Sequence, residues 1–308
     1  MVPDRMNPAG KTSRPLVLSA SRRTDLPGFH GSTCASLIRR RIAGLRTRHL
    51  YGVVFWSRHG APFLPGGPLH DLVAKELANP LLHLTVTGQG TGPLEPGVPS
   101  TDHILQLLPA LVRAFHGDPR RIRWRFDPLL RGISSIGDFE RIGAAMAHNG
   151  ITTCTFSFPA KFSLKGPLAD IYAQAGIENW RPDEQKDFLK RLCEAADGLG
   201  IALLSCAQPE NARAPLSPLS DDGYPRIAQS ACIDGALLEQ LHPSHEPLTL
   251  GRDRSQRRHC RCIESEDIGD YVGHPCGGGC AYCYSKAGGP LNSTATDIPW
   301  VRGPGPRG

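Results

Sequence analysis

The sequence predicts an α/β protein built on a parallel sheet with helices outside it, an open or closed (β/α) barrel. Three observations carry that prediction. Six short apolar runs rich in β-branched and aromatic residues recur along the chain. Amphipathic segments separate them, the alternation that parallel sheets require. Several runs end in polar, reactive side chains, and in such folds chemistry sits at the C-terminal ends of the strands.

The first run is "LVLSA" from Leu16, which leads into Ser21, Arg22, Thr24 and Asp25. A helical pattern over 33–45 follows. The second run, "LYGVVFW" from Leu50, leads into Trp56, Ser57 and Arg58, with a helical pattern over 69–77 behind it. "LLHLTVTG" from Leu81 comes third, then a helix over 102–115 in which Ile104, Leu107, Leu108, Leu111 and Phe115 repeat on one face. "IRWRFDPLL" from Ile122 is fourth and carries Arg125 and Asp127 near its end; a helix over 136–148 follows. "ITTCTFSF" from Ile151 precedes the longest helix, 183–199, with Asp183 expected as N-cap and Gly198 as stop. "IALLSCA" from Ile201 is sixth and ends at Ser205 and Cys206. Continuous apolar runs of this kind suit strands buried on both faces.

The pattern changes after Ile233. The sequence divides into a flexible N-terminus (1–15), the barrel body (16–242), a cysteine-rich segment (243–285) and a Gly/Pro/Ser/Thr-rich tail expected to be disordered (286–308). A chain of 308 residues with 40% hydrophobic residues can bury a sizeable core. Its formal charge of +6 is mild and does not by itself argue for nucleic acid. No apolar run reaches ~18 residues, and the basic start lacks the apolar stretch of a secretory signal. A cytoplasmic location and no membrane partner are expected.

Five of the ten cysteines lie between Cys260 and Cys283. Such clustering favours metal over a disulfide framework. Residues 274–285 read "HPCGGGCAYCYS", which places Cys276, Cys280 and Cys283 at C-x₃-C-x₂-C spacing among glycines. Glycines let backbone wrap closely around a bulky group. Three local thiolates leave one position of a [4Fe–4S] cluster open, or one of zinc, unless a distant residue such as His259 or His274 fills it. Cys260 and Cys262 form a C-x-C. With Cys206 and Cys232 they make four thiols, enough for a second [4Fe–4S] cluster or a zinc. Cys34, Cys154 and Cys193 fall inside apolar patterns and are expected as buried core residues.

The spacing of Cys276, Cys280, Tyr282 and Cys283 resembles the C-x₃-C-x-aromatic-C signature of radical S-adenosylmethionine (SAM) enzymes. "GCAYCYS" is most similar to the spore photoproduct lyase-like branch. Those enzymes carry the cysteine trio early, whereas here it comes last. "SASRRTDLP", "VVFWSRHGAP", "LTVTG" with "LEPGVPS", and "WRFDPLL" follow the branch's motif order with the first element moved to the end, as in a circular permutation. That arrangement expects the Asp267–Tyr271 stretch to pair beside the first strand. The whole pattern also resembles the bacterial family called domain of unknown function 1848, through "SASRRTD", "FW", "ACIDG" and "GC-YCY". "FWSRH" and "CAQPE" depart from that family's usual wording, at Arg58 and Glu210.

The resemblance implies a (β/α)6 partial TIM-like barrel, permuted. It implies a [4Fe–4S] cluster on Cys276, Cys280 and Cys283, with SAM on the open iron and Tyr282 near its adenine. Reductive cleavage of SAM would yield a 5′-deoxyadenosyl radical that abstracts hydrogen from a substrate. Ser19 and Thr24 are expected with Tyr282 on the cofactor side. Ser21, Arg22, Asp25, Arg125 and Asp127 are expected around the substrate, with Arg22 and Arg125 able to grip a carboxylate or phosphate or else to form internal ion pairs. The substrate class is a small molecule or a nucleic-acid derivative, and the electron donor is of flavodoxin or ferredoxin type. The competing reading is a non-catalytic zinc protein, with the terminal cysteines and the basic run "GRDRSQRRHCRC" binding nucleic acid or protein.

Overall fold

The computed structural model describes residues 13–159, 167–208 and 226–283. The expectations for Glu210 and for the tail 286–308, and most of the N-terminal one, lie outside these residues. Eight strands form one sheet: β1 (Arg14–Ala20), β2 (Arg48–Ser57), β3 (Pro80–Thr85), β4 (Ile122–Arg125), β5 (Thr153–Phe156), β6 (Ala202–Cys206), β7 (Ile227–Ser230) and β8 (Glu266–Ile268). Their order is β7-β6-β5-β4-β3-β2-β1-β8, and every neighbouring pair is parallel. The helices are α1 (Leu26–Phe29), α2 (Gly31–Ala43), α3 (Thr101–Ala114), α4 (Ile136–His148), α5 (Pro167–Gln174), α6 (Pro182–Leu199) and α7 (Gly235–Leu241). The chain is thus an α/β protein with a single parallel sheet.

The six expected strands are β1 to β6, and the structure adds two at the sheet's edges. β7 is only "IAQS", too short and polar to stand out as an apolar run. β8 is "EDI", which sets Leu18 opposite Glu266, Ser19 opposite Asp267 and Ala20 opposite Ile268. This is the pairing expected of the Asp267 stretch. An edge strand of three residues has few ladder bonds, and side chains anchor it: Glu266 accepts from Arg41 of α2 at 2.7 Å and from Arg48 of β2 at 2.5 Å.

Alternation along the strands separates two faces. Leu16, Leu18, Val53, Phe55, Leu82, Leu84, Ile122, Trp124, Cys154 and Phe156 pack beneath the helices, against Ile38 of α2, Leu108 of α3, Phe139 of α4 and Leu192 of α6. Full burial of each large apolar side chain contributes roughly 1.5–3 kcal/mol. On the opposite face Val17, Val54 and Leu81 meet Leu238 and Leu241 of α7. That second face is polar further along. It buries Ser19, His83, Arg121, Arg123 and Thr155, so the sheet is buried on both sides without being apolar on both.

Three local expectations are corrected. The first turn of α6 begins at Pro182, and the preceding residue is Arg181, not Asp183; the Glu184 side chain closes a capping box with Arg181. Proline fits the first helical position because its missing N–H has no partner there. The helix stops at Gly200, which takes φ 66°, and not at Gly198. The pattern over 69–77 forms only a single π-helical turn, Leu72–Glu76, closed by the Leu77 N–H on the Leu72 carbonyl at 2.9 Å. Cys34, Cys154 and Cys193 are fully buried core residues, as expected. Burial pushes the Cys34 and Cys193 thiols up to about 12. No described helix is long and apolar enough to cross a membrane.

Candidate functional site

The cysteine loop follows β8 and lies over the C-terminal ends of β1 to β4. After the strand, Asp270 accepts the N–H groups of Val272 (2.9 Å) and Gly273 (2.6 Å), which turns the chain back over the sheet. Two segments then staple it. From the β1 side, Thr24 Oγ1 donates to the His274 carbonyl at 2.9 Å and His30 Nε2 meets the Pro275 carbonyl at 2.8 Å. From the β3 side, Gly97 N–H donates to the Gly278 carbonyl at 3.0 Å, and the Ala281 N–H donates to the Leu94 carbonyl at 2.8 Å.

Two of the three thiols face one glycine of this loop. A Cβ at Gly278 would be 3.5 Å from both the Cys276 and Cys280 sulfurs, so the glycine leaves the space between them clear. Cys276 and Cys280 each respond electrostatically to Cys283. Burial raises the Cys276 thiol, opposed by hydrogen bonds from the backbone amides of Asp25 and Gly278. Burial pushes Cys280 up to about 12, opposed by the Arg58 guanidinium. Cys276 and Cys280 therefore hold their protons unless a metal replaces them.

Arg58 links the loop to the sheet. Its Nη1 donates to Glu95 Oε1 at 2.7 Å, its Nη2 donates to the Tyr282 hydroxyl at 2.9 Å, and its guanidinium lies 5.7 Å from the Tyr282 ring centre. Glu95 is 1% exposed and also accepts from Thr87 Oγ1 at 2.7 Å and from the Tyr282 hydroxyl. Against the desolvation that burial imposes, Tyr282, Glu95 and the thiols of Cys280 and Cys283 hold Arg58 above its ordinary value. A fixed cation thus stands beside the thiols.

Asp25 is the second hub. Oδ1 accepts from Ser57 Oγ (2.7 Å) and Gly28 N–H (2.9 Å), and Oδ2 accepts from Arg58 N–H (2.8 Å) and lies 2.9 Å from His59 Nδ1. One carboxylate therefore organises the turn after β1 and the turn after β2, while its backbone amide meets Cys276.

The other expected site residues are close by and engaged internally. Ser21 Oγ donates to Asp267 at 3.2 Å. Arg22 bonds Asp267 through its backbone N–H at 3.0 Å and pairs with Asp253 at 3.4 Å. Arg125 pairs with Asp127, donates to the Cys232 sulfur at 3.3 Å and lies 5.2 Å from the Trp56 ring centre. Asp127 also accepts from Ser157. Ser19 Oγ accepts from Trp56 Nε1 at 3.1 Å. Glu95 and His59 are the residues that sequence reasoning did not single out. Glu95 sat in the "LEPGVPS" segment without a role, and nothing in the local pattern of either predicts its partners.

The remaining four cysteines also meet. The Cys206 and Cys232 sulfurs are 3.6 Å apart, and Cys260 and Cys262 pack into the same cluster. The Ile233 N–H donates to Cys262 at 3.3 Å, and Arg257 reaches Cys206 at 3.8 Å. Hydrogen bonds from Cys206 and Cys262, aided by Arg125, depress the Cys232 thiol, and Cys262 lowers Cys260 to about 6. Cys206 and Cys262 are raised as the donors in these contacts. All ten cysteines are free. Among the described residues, no three His, Cys, Asp or Glu side chains surround one point as the ligands of a single ion do. His259 is exposed, and the His274 ring turns to Asp270 and His30, so neither joins the trio.

No curated protein matches the chain. Solved structures with similarity include a putative phosphonomutase from Burkholderia cenocepacia J2315, 12% identical over 70% of this chain and 87% of that one, with a TM-score of 0.23. Residues 17–285 match the family described as Domain of unknown function (DUF1848), a span that holds the whole sheet from Val17 onward and every residue of the site. The chain belongs to that family.

Proposed function

We propose that this protein is a radical SAM enzyme, a circularly permuted (β/α) partial barrel in which Cys276, Cys280 and Cys283 hold a [4Fe–4S] cluster. The observation that supports it most is the placement of three thiols on one glycine loop, stapled over the ends of β1 to β4. When bound there, such a cluster would supply the reductive cleavage of SAM.

The chain's own residues do the rest. Asp25 and Gly278 amides donate to the Cys276 sulfur, which favours the thiolate over the thiol. Arg58 balances thiolate charge next to Cys280 and Cys283, and Glu95 keeps that cation in place. Tyr282 fills the apolar patch of Val98, Leu130 and Tyr172 and shields the loop from water. Ser19, Ser21, Thr24 and Asp25 order the turn on the cofactor side. Arg22, Arg125 and Asp127 position the strand ends and leave substrate class open between a small molecule and a nucleic-acid derivative. A one-electron donor of flavodoxin or ferredoxin type is required. Anaerobically reconstituted protein, reduced with dithionite, is expected to convert SAM to 5′-deoxyadenosine and methionine. Loss of that product in the folded C276A/C280A/C283A variant is also expected. Protein that carries iron on the trio yet leaves SAM intact would sink this reading.

A further inference from the structure

Cys206, Cys232, Cys260 and Cys262 come from three separate segments: the end of β6, the turn after β7, and the stretch before β8. Sequence distance alone gives no reason for them to meet. The Cys206 and Cys232 sulfurs nonetheless stand 3.6 Å apart, and Cys260 and Cys262 pack into the same cluster. The chain's other three scattered cysteines sit singly in the core.

Donors and cations face the sulfurs. The Ile233 amide points at Cys262, while the Arg125 and Arg257 guanidiniums point at Cys232 and Cys206. N–H donors and cations aimed at sulfur serve charged sulfur, as they do around metal ligands. His83 and Trp56 wall the group on the sheet side: His83 Nε2 contacts the Cys232 carbonyl at 2.6 Å, and its ring stacks on Trp56 at 4.4 Å. A disulfide framework does not account for the set, because C-x-C spacing is poor for a bridge and all four thiols are free.

We propose that these four cysteines form a second metal centre, fully ligated by the protein and separate from the cysteine loop. Four thiolates saturate either a [4Fe–4S] cluster or a zinc ion, so this centre leaves no position for SAM. Metal entry displaces the thiol protons and replaces the sulfur–sulfur contacts with metal–sulfur bonds. Its consequence for the fold is a cross-link. The segment running from 243 to 263 has one isolated bridge, Arg252 with Ile263, and the centre would tie that segment to β6 and to the turn after β7. It thereby fixes the approach to β8 and the cysteine loop. The inference does not depend on the radical SAM reading.

The test is metal analysis of full-length, anaerobically purified protein. In the C276A/C280A/C283A variant, confirmed folded by circular dichroism, roughly four irons with iron–sulfur absorbance, or about one zinc, are expected to persist. Either content supports the centre and identifies its occupant. Adding C206A/C232A/C260A/C262A must remove that metal. Because this second variant could misfold, native thiol labelling of the triple variant provides an independent reading. The four cysteines should be protected until a chelator or oxidant strips the metal, then react. A folded triple variant with neither iron nor zinc overturns the proposal, as does metal that survives removal of all seven cysteines. Failure of SAM cleavage with the second metal intact would instead count only against the function proposed above.

Discussion

The hydroxyl of Tyr282 donates to the carboxylate of Glu95, 187 residues away in the chain. Arg58 bonds both partners, so an acid, a cation and a phenol close one buried triangle beneath the cysteine loop. Removing the acid leaves a buried guanidinium without its counter-ion. Glu95→Ala is expected to cost ~3–5 kcal/mol, and Tyr282→Phe only ~1–2 kcal/mol, since Glu95 keeps Arg58 and Thr87. Urea unfolding under anaerobic conditions measures both. A Glu95→Ala protein as stable as the parent would refute the counter-ion role.

Asp25 offers a sharper chemical test, because all the groups that face it can donate. Asparagine keeps one acceptor oxygen and points two N–H groups at donors. Asp25→Asn should therefore destabilise by ~1–3 kcal/mol and reduce iron bound at the loop, with Asp25→Glu no better because the reach changes. If Asp25→Asn leaves iron content and the urea midpoint unchanged, the hub is dispensable.

Gly97, between β3 and α3, packs directly against the cysteine loop. A Cβ there would stand 2.3 Å from the Gly277 carbonyl oxygen, a backbone atom that cannot rotate away. Gly97→Ala should push the cysteine loop outward, with loss of most loop-bound iron and of SAM cleavage while the sheet's circular dichroism persists. Normal iron stoichiometry and SAM cleavage in that variant would show that the close approach is not needed.

Glu266 gives a pH prediction. Its hydrogen bond from Arg41, with further help from Arg48, holds the carboxyl below the usual carboxylate range. A depressed folded-state value means the contribution is present above the unfolded value and is lost as pH falls through the folded one. The group is half-exposed, so the effect is small, ~0.5–1 kcal/mol at neutral pH. The stability gap between the parent and Glu266→Gln should shrink on acidification and vanish once Glu266 is protonated in both states. A gap independent of pH would contradict this.

The strands were readable where burial shaped composition. β1 to β6 carry enough Val, Leu, Ile and Phe to appear as runs, because one face of each lies against helices. β7 and β8 escaped that criterion, since "IAQS" and "EDI" are held at sheet edges by partners and not by their own apolarity. The pairing of β8 with β1 became legible only through motif order. The site divides in the same way. Cysteines and Tyr282 announce themselves by spacing, and Ser21, Arg22 and Asp25 by following a strand. Glu95 and His59 are ordinary residues in isolation; their roles arise from convergence of turns after three different strands, which no local pattern encodes. The grouping of Cys206, Cys232, Cys260 and Cys262 was expected only from the number of thiols, and the internal pairing of Arg22 and Arg125 with Asp253 and Asp127 depends on side-chain directions.

Because β8 docks on β1, the chain must travel 246 residues from Ser21 before it meets Asp267. On the ribosome, the sheet from β1 to β7 can assemble while the edge beside β1 stays bare. Long-range pairing of this kind comes late and slowly. The thiols of the cysteine loop are consequently positioned only once β8 has docked, after the walls around them exist. Any metal held by this loop would therefore meet a finished wall rather than an open sheet edge.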